Sequence, residues 1–125
     1  VMAVFEGPDS HINLQNAAVT IQKAINVLNK SRLEKNMEIL TVGIGINIGD
    51  AVIGNIGSKD RMDYTVVGDA VNLASRFCDV AKPGQIVTST NLYSHIETLY
   101  PAANLGTIKI KGRKELIEIC EIKYK

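Results

Sequence analysis

The stretch at residues 63–76 reads DYTVVGDAVNLASR and changes its periodicity halfway along. Its first part, Asp63–Val67, is rich in β-branched and aromatic residues, which favours a strand. Gly68 interrupts this run, and Asp69 is a residue type that often caps the start of a helix. From Ala70 onward the apolar residues recur every three or four positions, as on one face of a helix. The stretch therefore predicts a strand, a glycine turn and a helix.

Two polar side chains of this helix, Asn72 and Arg76, are four residues apart and therefore lie one above the other. They occupy a different face from Val71, Ala74 and Cys78, which form the predicted apolar face. A guanidinium matches the geometry of phosphate oxygens, and the N–H groups at a helix start attract anions. The pair therefore indicates a site for an anionic, hydroxyl-bearing ligand. The alternative is an ordinary solvated helix face, which has the same polar spacing.

The composition indicates one globular domain without a strongly charged surface. The chain has 125 residues, 46% of them hydrophobic, and contains no internal repeat. Its 14 basic and 13 acidic residues almost balance, so neither nucleic acid nor a membrane surface is an expected partner. No apolar run approaches the roughly 20 residues that span a bilayer. Cys78 and Cys120 fall within apolar patterns and lack metal-type spacing, so we expect reduced, buried thiols and no metal site.

The remaining pattern alternates between strands and helices, and its hairpins imply antiparallel pairing, so the predicted fold class is α+β. We expect a strand at Val1–Phe5 and a helix from Ser10 to about Arg32. The alternating residues 39–48 predict a strand that a Gly49–Asp50 hairpin turn joins to a second strand at 51–56. The later elements are a strand at 85–88, a helix capped by Ser89 or Thr90 that ends near Ile96, and strands at 106–111 and 116–124.

The first predicted helix has an apolar face and a polar face. We expect the apolar residues to cover a sheet and the polar ones, Gln15 and Gln22 among them, to face solvent. The apolar set is Leu14, Ala17, Ala18, Ile21, Ile25 and Leu28.

Five glycines, at positions 43, 45, 49, 54 and 57, lie along the two strands before the central stretch. Gly-rich loops can hold phosphate groups. Gly43 and Gly45, however, match only part of GxGxxG and lie within a strand rather than at a strand-to-helix turn. We therefore interpret these glycines as sites of bulges, or of close approach by another backbone or a ligand.

Several stretches, taken in order, resemble the class III nucleotidyl cyclase catalytic domain, the family of adenylate and guanylate cyclases. The most diagnostic is 63–76, and 43–57 resembles the family's Gly-Ile-His-x-Gly…Gly-Asn-x-Gly segment, with Asn47 in place of the common His. Residues 81–86, 109–113 and Val1–Phe5 resemble later turns and an earlier strand. The resemblance covers the whole chain and is strongest to bacterial-type adenylate cyclases. It implies a ferredoxin-like cyclase core, with a mostly antiparallel sheet and covering helices, truncated at its N-terminus.

The resemblance also implies an activity. This family converts a nucleoside triphosphate into its 3′,5′-cyclic monophosphate and pyrophosphate. Two Mg²⁺ or Mn²⁺ ions, held by two aspartates, activate the 3′-hydroxyl and bind the phosphates. Each active site lies at a dimer interface. The implied partners are therefore ATP and a second subunit of a homodimer, and the implied setting is intracellular signalling in the cytoplasm.

Carried over by position, the resemblance assigns roles to four residues. Asn72 would orient the ribose, and Arg76 would stabilise charge on the α-phosphate. Thr65 falls at the base-reading position, where a hydroxyl can accept from the adenine amino group, and this favours ATP. Lys111 falls where the family contacts the terminal phosphates. A guanylate cyclase is an alternative that differs only in the base.

The metal-binding aspartates of the family have no counterpart among residues 1–125. We expect both aspartates, the base-reading lysine and the opening strands to lie upstream of Val1, so 1–125 is interpreted as the C-terminal part of one catalytic domain. Alone, this part is expected to be inactive, and to be marginally stable or to pair with another chain. A second alternative is a degenerate cyclase-like module that senses nucleotide or regulates a partner by dimerising, which upstream aspartates would argue against.

Overall fold

Three helices and six strands make up the described part of the chain. The computed structural model describes residues 1–50, 52–58, 61–96, 98–110 and 112–124, and within 52–58 and 61–67 it describes the backbone alone. The predicted α+β class is confirmed. In chain order, the elements are α1 (Ser10–Glu34), β1 (Ile44–Gly45), β2 (Val52–Ser58), β3 (Arg61–Val67), α2 (Asp69–Val80), β4 (Ile86–Ser89), α3 (Thr90–His95), β5 (Ala102–Lys109) and β6 (Leu116–Ile122).

Four of the strands form one sheet, in the order β1-β4-β6-β5. β1 runs parallel to β4, whereas β4 with β6 and β6 with β5 are antiparallel pairs. β2 and β3 form a separate antiparallel ribbon, in which Val52 is opposite Val67 and Ser58 is opposite Arg61. Most strand pairs in the described ranges are therefore antiparallel, as the sequence predicts.

One helix packs on each face of the four-stranded sheet. Ile86 and Val87 are neighbours in β4 but belong to different clusters, because successive strand residues point to opposite faces. Phe77 of α2 is fully buried on the Val87 side. The α1 side of the core consists of Ala18, Val19, Ile46, Ile86 and Ile122, and the α2 side of Phe77, Val87 and Ile119.

The predicted hairpin around Gly49–Asp50 is wrong. β1 pairs with Ile86–Val87 rather than with the next strand along the chain, and β2 pairs with β3. The backbone before β1 bonds to α1 instead of to a strand. The Asn29 side chain contacts both the N–H and the C=O of Leu40, at 2.7 and 2.6 Å, and Arg32 Nε donates to the Glu38 carbonyl at 2.6 Å. Alternation of apolar residues indicates a strand but does not reveal its partner.

Two other strand predictions need correction. Val1–Phe5 is not a strand in the structure, because a strand needs a hydrogen-bonded neighbour and the described residues place none beside it. β5 begins at Ala102 rather than at 106. The early part of β5 pairs through a register shift between Asn104 and Gly106, and Gly106 has a φ of 92°. A bulge glycine of this kind looks like a turn in the sequence.

The buried face of α1 is also different from the predicted one. Gln15, Ala18, Val19 and Gln22 are the buried residues of this helix in the structure, whereas Ile21 is 48% exposed. The sequence places both glutamines on the solvent face, and that prediction is wrong.

Hydrogen bonds to the backbone explain why the two glutamines are buried. Gln22 Nε2 donates to the carbonyls of Val42 and Gln85, at 2.8 and 3.2 Å, and so bridges the segment before β1 and the segment before β4. Gln15 Oε1 accepts from the Leu99 N–H at 3.2 Å. A buried amide that makes such bonds satisfies backbone groups that an apolar side chain would leave unpaired. α1 is therefore held on the sheet by specific polar contacts as well as by apolar packing.

Candidate functional site

The strand, glycine turn and helix predicted for residues 63–76 are confirmed. β3 ends at Val67 and α2 begins at Asp69, so Gly68, rather than Asp69, occupies the N-cap position. Gly68 has φ 152° and ψ 168°, a conformation that is essentially restricted to glycine. Its carbonyl accepts the N–H of Asn72 at 3.2 Å. Gly68 thus turns the chain directly from the ribbon into the helix that carries the candidate site.

The residues of α2 that face the sheet are not the predicted ones. Leu73 and Phe77 pack into the core, whereas Val71 and Ala74 are half-buried and Cys78 is exposed. The expectation of a buried Cys78 is therefore wrong, although its thiol donates to the Gly43 carbonyl at 3.4 Å.

Two glycines lie directly against the half-buried side of α2. A Cβ added at Gly45 would overlap backbone atoms of Ala74 and Cys78. A Cβ at Gly49 would lie 2.7 Å from the Ala70 Cβ. The predicted close approach of another backbone is confirmed at Gly45, and that backbone is α2. These contacts fix the distance of α2 from β1 and thereby the position of its outer face. The surroundings of Gly54 and Gly57 lie outside the described part of the structure.

The outer face of α2 lines a polar cavity of about 520 Å³, a volume within the usual range of small-molecule sites. Asn72 and Arg76, the two residues singled out by spacing, are both exposed and both line it. The opposite wall comes from the turn after β5. The lining residues are Asp69, Asn72, Leu73, Ser75 and Arg76 from α2, and Ile110, Gly112 and Arg113 from the turn.

Two guanidinium groups line this cavity, and each is paired with a carboxylate. Arg113 forms an ion pair with Asp69 at the first position of α2. That hydrogen bond raises the pKa of Arg113 above its ordinary value. Arg76 Nη1 lies 3.4 Å from Asp79 Oδ2 in a solvent-exposed pair, which competes weakly with an incoming anion. The cavity therefore presents the weakly paired guanidinium of Arg76 and the carboxamide of Asn72, groups suited to phosphate oxygens and hydroxyls.

The side chains of the other two predicted site residues, Thr65 and Lys111, are outside the described part of the structure. Thr65 is in β3, with its backbone opposite Gly54, and its side chain is outside the described part. Lys111 is itself outside the described residues, while its neighbours Ile110 and Gly112 both line the cavity. The structure thus brings Asn72 and Arg76 together, and the roles of Thr65 and Lys111 stay predictions.

Arg113 and Asp69 are site residues that the sequence reasoning missed. Residues 111–114 read as a basic turn, and a turn of this kind between two strands is usually a solvated tip. The acidic partner lies 44 residues earlier. Opposite charges at such a separation carry no local signal, so the pair is visible only once the fold is known.

The described residues do not fit a metal site. Among them, no group of three or more His, Cys, Asp and Glu side chains is arranged to hold an ion. Asp69, the carboxylate on the cavity wall, is paired with Arg113. The thiol of Cys120 is buried, as predicted, and burial raises its pKa, so it stays protonated and a poor metal ligand.

None of the helices in the described ranges is both long enough and apolar enough to cross a membrane.

Comparison with known proteins adds independent findings. The sequence model of the family described as the adenylate and guanylate cyclase catalytic domain matches residues 2–120. A protein of Mycobacterium tuberculosis is 35% identical over 118 residues, which are 91% of this chain and 21% of that protein. The solved guanylyl cyclase Cya2 has a TM-score of 0.81 and 32% identity, over 94% of this chain and 62% of its own. The adenylyl cyclase CyaB from P. aeruginosa has a TM-score of 0.76 and 30% identity, over 86% and 55%. The chain thus spans about a fifth of the curated relative's length.

Proposed function

Because the chain belongs to the family of adenylate and guanylate cyclase catalytic domains, we propose that it provides one half of a composite active site. In the protein at its natural length, this site converts ATP into 3′,5′-cyclic AMP and pyrophosphate. The observation that carries the proposal is that Asn72 and Arg76 lie side by side on the wall of one polar cavity. An ordinary solvated helix face borders open solvent, whereas this one lines a cavity that also has residues of the turn after β5 in its wall.

The proposed chemistry assigns each of these residues one task. The ribose 3′-oxygen attacks the α-phosphorus, and the bond from that phosphorus to the pyrophosphate oxygen breaks. The proton of the 3′-hydroxyl passes to a base. Asn72 bonds to the ribose and holds the 3′-oxygen in line for attack. Arg76 donates to the α-phosphate oxygens, on which charge is redistributed as the phosphorus becomes five-coordinate. Arg76 accelerates the reaction to the extent that it binds the α-phosphate more strongly in the transition state than in the ground state.

The rest of the site is proposed to come from other residues. The two Mg²⁺ or Mn²⁺ ions of this family would supply charge to the phosphates when bound, and carboxylates outside the described residues would hold them. A second copy of the chain, in a homodimer, would face the outer side of α2. Lys111 would contact the terminal phosphates, and the proposed location is the cytoplasm, where ATP is available.

The choice of ATP over GTP rests on Thr65. Its hydroxyl can accept from the adenine amino group, and the family resemblance associates Asp or Thr at this position with adenylate cyclases. A guanylate cyclase is the second candidate, and the structural similarity to the guanylyl cyclase Cya2 favours it. A degenerate regulatory module, which binds nucleotide or dimerises without turnover, is the third. The exposed Arg76 argues against it, because such a module has no use for a residue that stabilises a transition state.

A direct test compares ATP and GTP as substrates of the natural-length protein with Mn²⁺. We expect kcat/KM to be about tenfold or more higher for ATP, and Thr65→Val to reduce that preference. Asn72→Ala is expected to lower kcat about 100-fold, because small errors in position cost this much, while affinity for a non-hydrolysable ATP analogue changes little. Equal turnover of GTP would favour the second candidate, and binding without any turnover would favour the third.

The 125-residue chain alone is expected not to cyclise ATP. The described residues offer no carboxylate cluster for the ions, and Asn72 and Arg76 represent one side of the site. The measurement is cyclic AMP formed by the purified chain with ATP and Mn²⁺, with the natural-length protein at equal concentration as the control. Clear turnover by the short chain would contradict the composite-site proposal.

A further inference from the structure

The ion pair between Asp69 and Arg113 connects two elements that are far apart in the chain. Asp69 is the first residue of α2, and Arg113 lies in the turn between β5 and β6. The turn itself is tight, since the Arg113 N–H donates to the Ile110 carbonyl at 3.0 Å and Gly112 has a φ of 85°. Glycine is the residue type that most readily adopts such a positive φ. Arg113 is therefore held by a defined backbone and aimed at the start of α2.

The turn has two anchors beside the cavity. Ile110 is 8% exposed and belongs to the core, so it holds one end of the turn by burial. At the other end, the Arg113 side chain reaches Asp69 and holds the turn to α2. Ile110, Gly112 and Arg113 of this turn line the cavity together with Asn72 and Arg76 of α2.

The pair also changes the charge that a ligand meets. The start of α2 has free N–H groups and a partial positive charge, which favour an anion. A bare carboxylate on Asp69 would repel that anion, since it lines the same cavity. Arg113 neutralises the carboxylate at short range. The positive groups then left on the cavity wall are the helix start and Arg76, whose pairing with Asp79 is weak.

We propose that Asp69 and Arg113 are positioning residues that hold the turn after β5 against α2, so that the cavity accepts a nucleoside triphosphate. This inference rests on the proposed cyclase function. It assigns Arg113 no direct contact with the phosphates, in contrast to a model in which Arg113 leaves Asp69 and binds them itself. The two possibilities make opposite predictions for a variant that lacks the Asp69 charge.

The test uses the natural-length protein and four variants, Asp69→Asn, Arg113→Ala, the combination of both, and Arg113→Lys. We expect either single loss to raise KM for ATP, and the Kd of a non-hydrolysable analogue, about fivefold, the upper end of what an exposed ion pair contributes. The double variant should be no worse than the worse single variant, because the two residues act as one unit. We expect kcat to change less than threefold. Arg113→Lys keeps one donor to Asp69 and should recover most of the affinity.

Lys114→Ala is the matched control. Lys114 is an exposed cation in the same turn, so its loss removes the same charge, and we expect KM to change less than twofold. If Asp69→Asn leaves affinity unchanged or improves it while Arg113→Ala weakens it, Arg113 binds phosphate directly and the positioning role is wrong. Multiplicative losses in the double variant would contradict it as well.

Hydrogen exchange of the backbone amides at 109–116, without nucleotide, gives a second measurement that does not depend on activity. Asp69→Asn and Arg113→Ala should both speed exchange in this turn, and Asn72→Ala should not. If the parent protein forms no cyclic nucleotide but the exchange pattern is as expected, the proposed function fails and the positioning role stands. If the parent cyclises ATP and both variants match it in KM and exchange, the positioning role fails alone.

Discussion

Replacing Arg76 by alanine in the natural-length protein is expected to lower kcat about 100- to 1,000-fold, the usual effect of losing one preorganised donor to a developing charge. The side chain is on the cavity wall beside Asn72, and its pairing with Asp79 is solvent-exposed, so the guanidinium is available to a phosphate. Because the proposed interaction would strengthen in the transition state, KM should change less than threefold. Initial rates of cyclic AMP formation over a range of ATP concentrations measure both constants.

Two further variants test whether Arg76 acts through the geometry of its donors or only through its positive charge. Arg76→Lys keeps the charge but loses the planar fork of donors, and should recover only part of kcat. Lys30→Ala removes an exposed cation from α1, away from the cavity, and should have parent-like kinetics. A large rise in KM with kcat unchanged would show that Arg76 binds the ground state only, and would contradict the role assigned to it.

Gly45→Ala is expected to destabilise the domain by about 3 kcal/mol, at the upper end of the usual cost of overpacking, and to lower its Tm by roughly 10 °C. The new methyl group would overlap the α2 backbone at Ala74 and Cys78, so the helix itself must move. Asn72 and Arg76 lie on this helix, and kcat should fall along with stability. Calorimetry of the natural-length protein, followed at the transition of the catalytic domain, measures the change.

Paired variants show whether backbone contact is the cause. Gly49→Ala would meet the Ala70 methyl group, so Ala70→Gly should relieve most of its cost. For Gly45→Ala no such relief is expected from Ala74→Gly, because the obstacles there are backbone atoms. Gly106→Ala is the control for glycine loss without crowding, since its Cβ would meet nothing within 4 Å, although its φ of 92° adds strain. If Gly45→Ala costs no more than Gly106→Ala, the close approach of α2 is not limiting.

The sequence alone determined those helices, turns and caps that depend on neighbouring residues. The strand, glycine turn and helix at 63–76, the helix from Ser10, and the Ser89 cap, whose Oγ accepts from the Leu92 N–H at 3.0 Å, follow from neighbouring residues. The same stretch carries Asn72 and Arg76 at a spacing of one helical turn. Their shared side of α2, and the family resemblance with its implied cyclase chemistry, were therefore predictable without coordinates.

Long-range pairing was decided only by the tertiary structure. Periodicity does not specify the partner of a strand, so β1 was assigned to the wrong neighbour, and Gln15 and Gln22 looked solvated until backbone carbonyls and amides were found beside them. The ion pair of Asp69 with Arg113 joins residues 44 apart, which no local pattern links. Hydrogen bonds and charges depend on which groups meet in space, whereas helix and turn preferences depend on adjacent residues, and this difference separates what could be predicted from what could not.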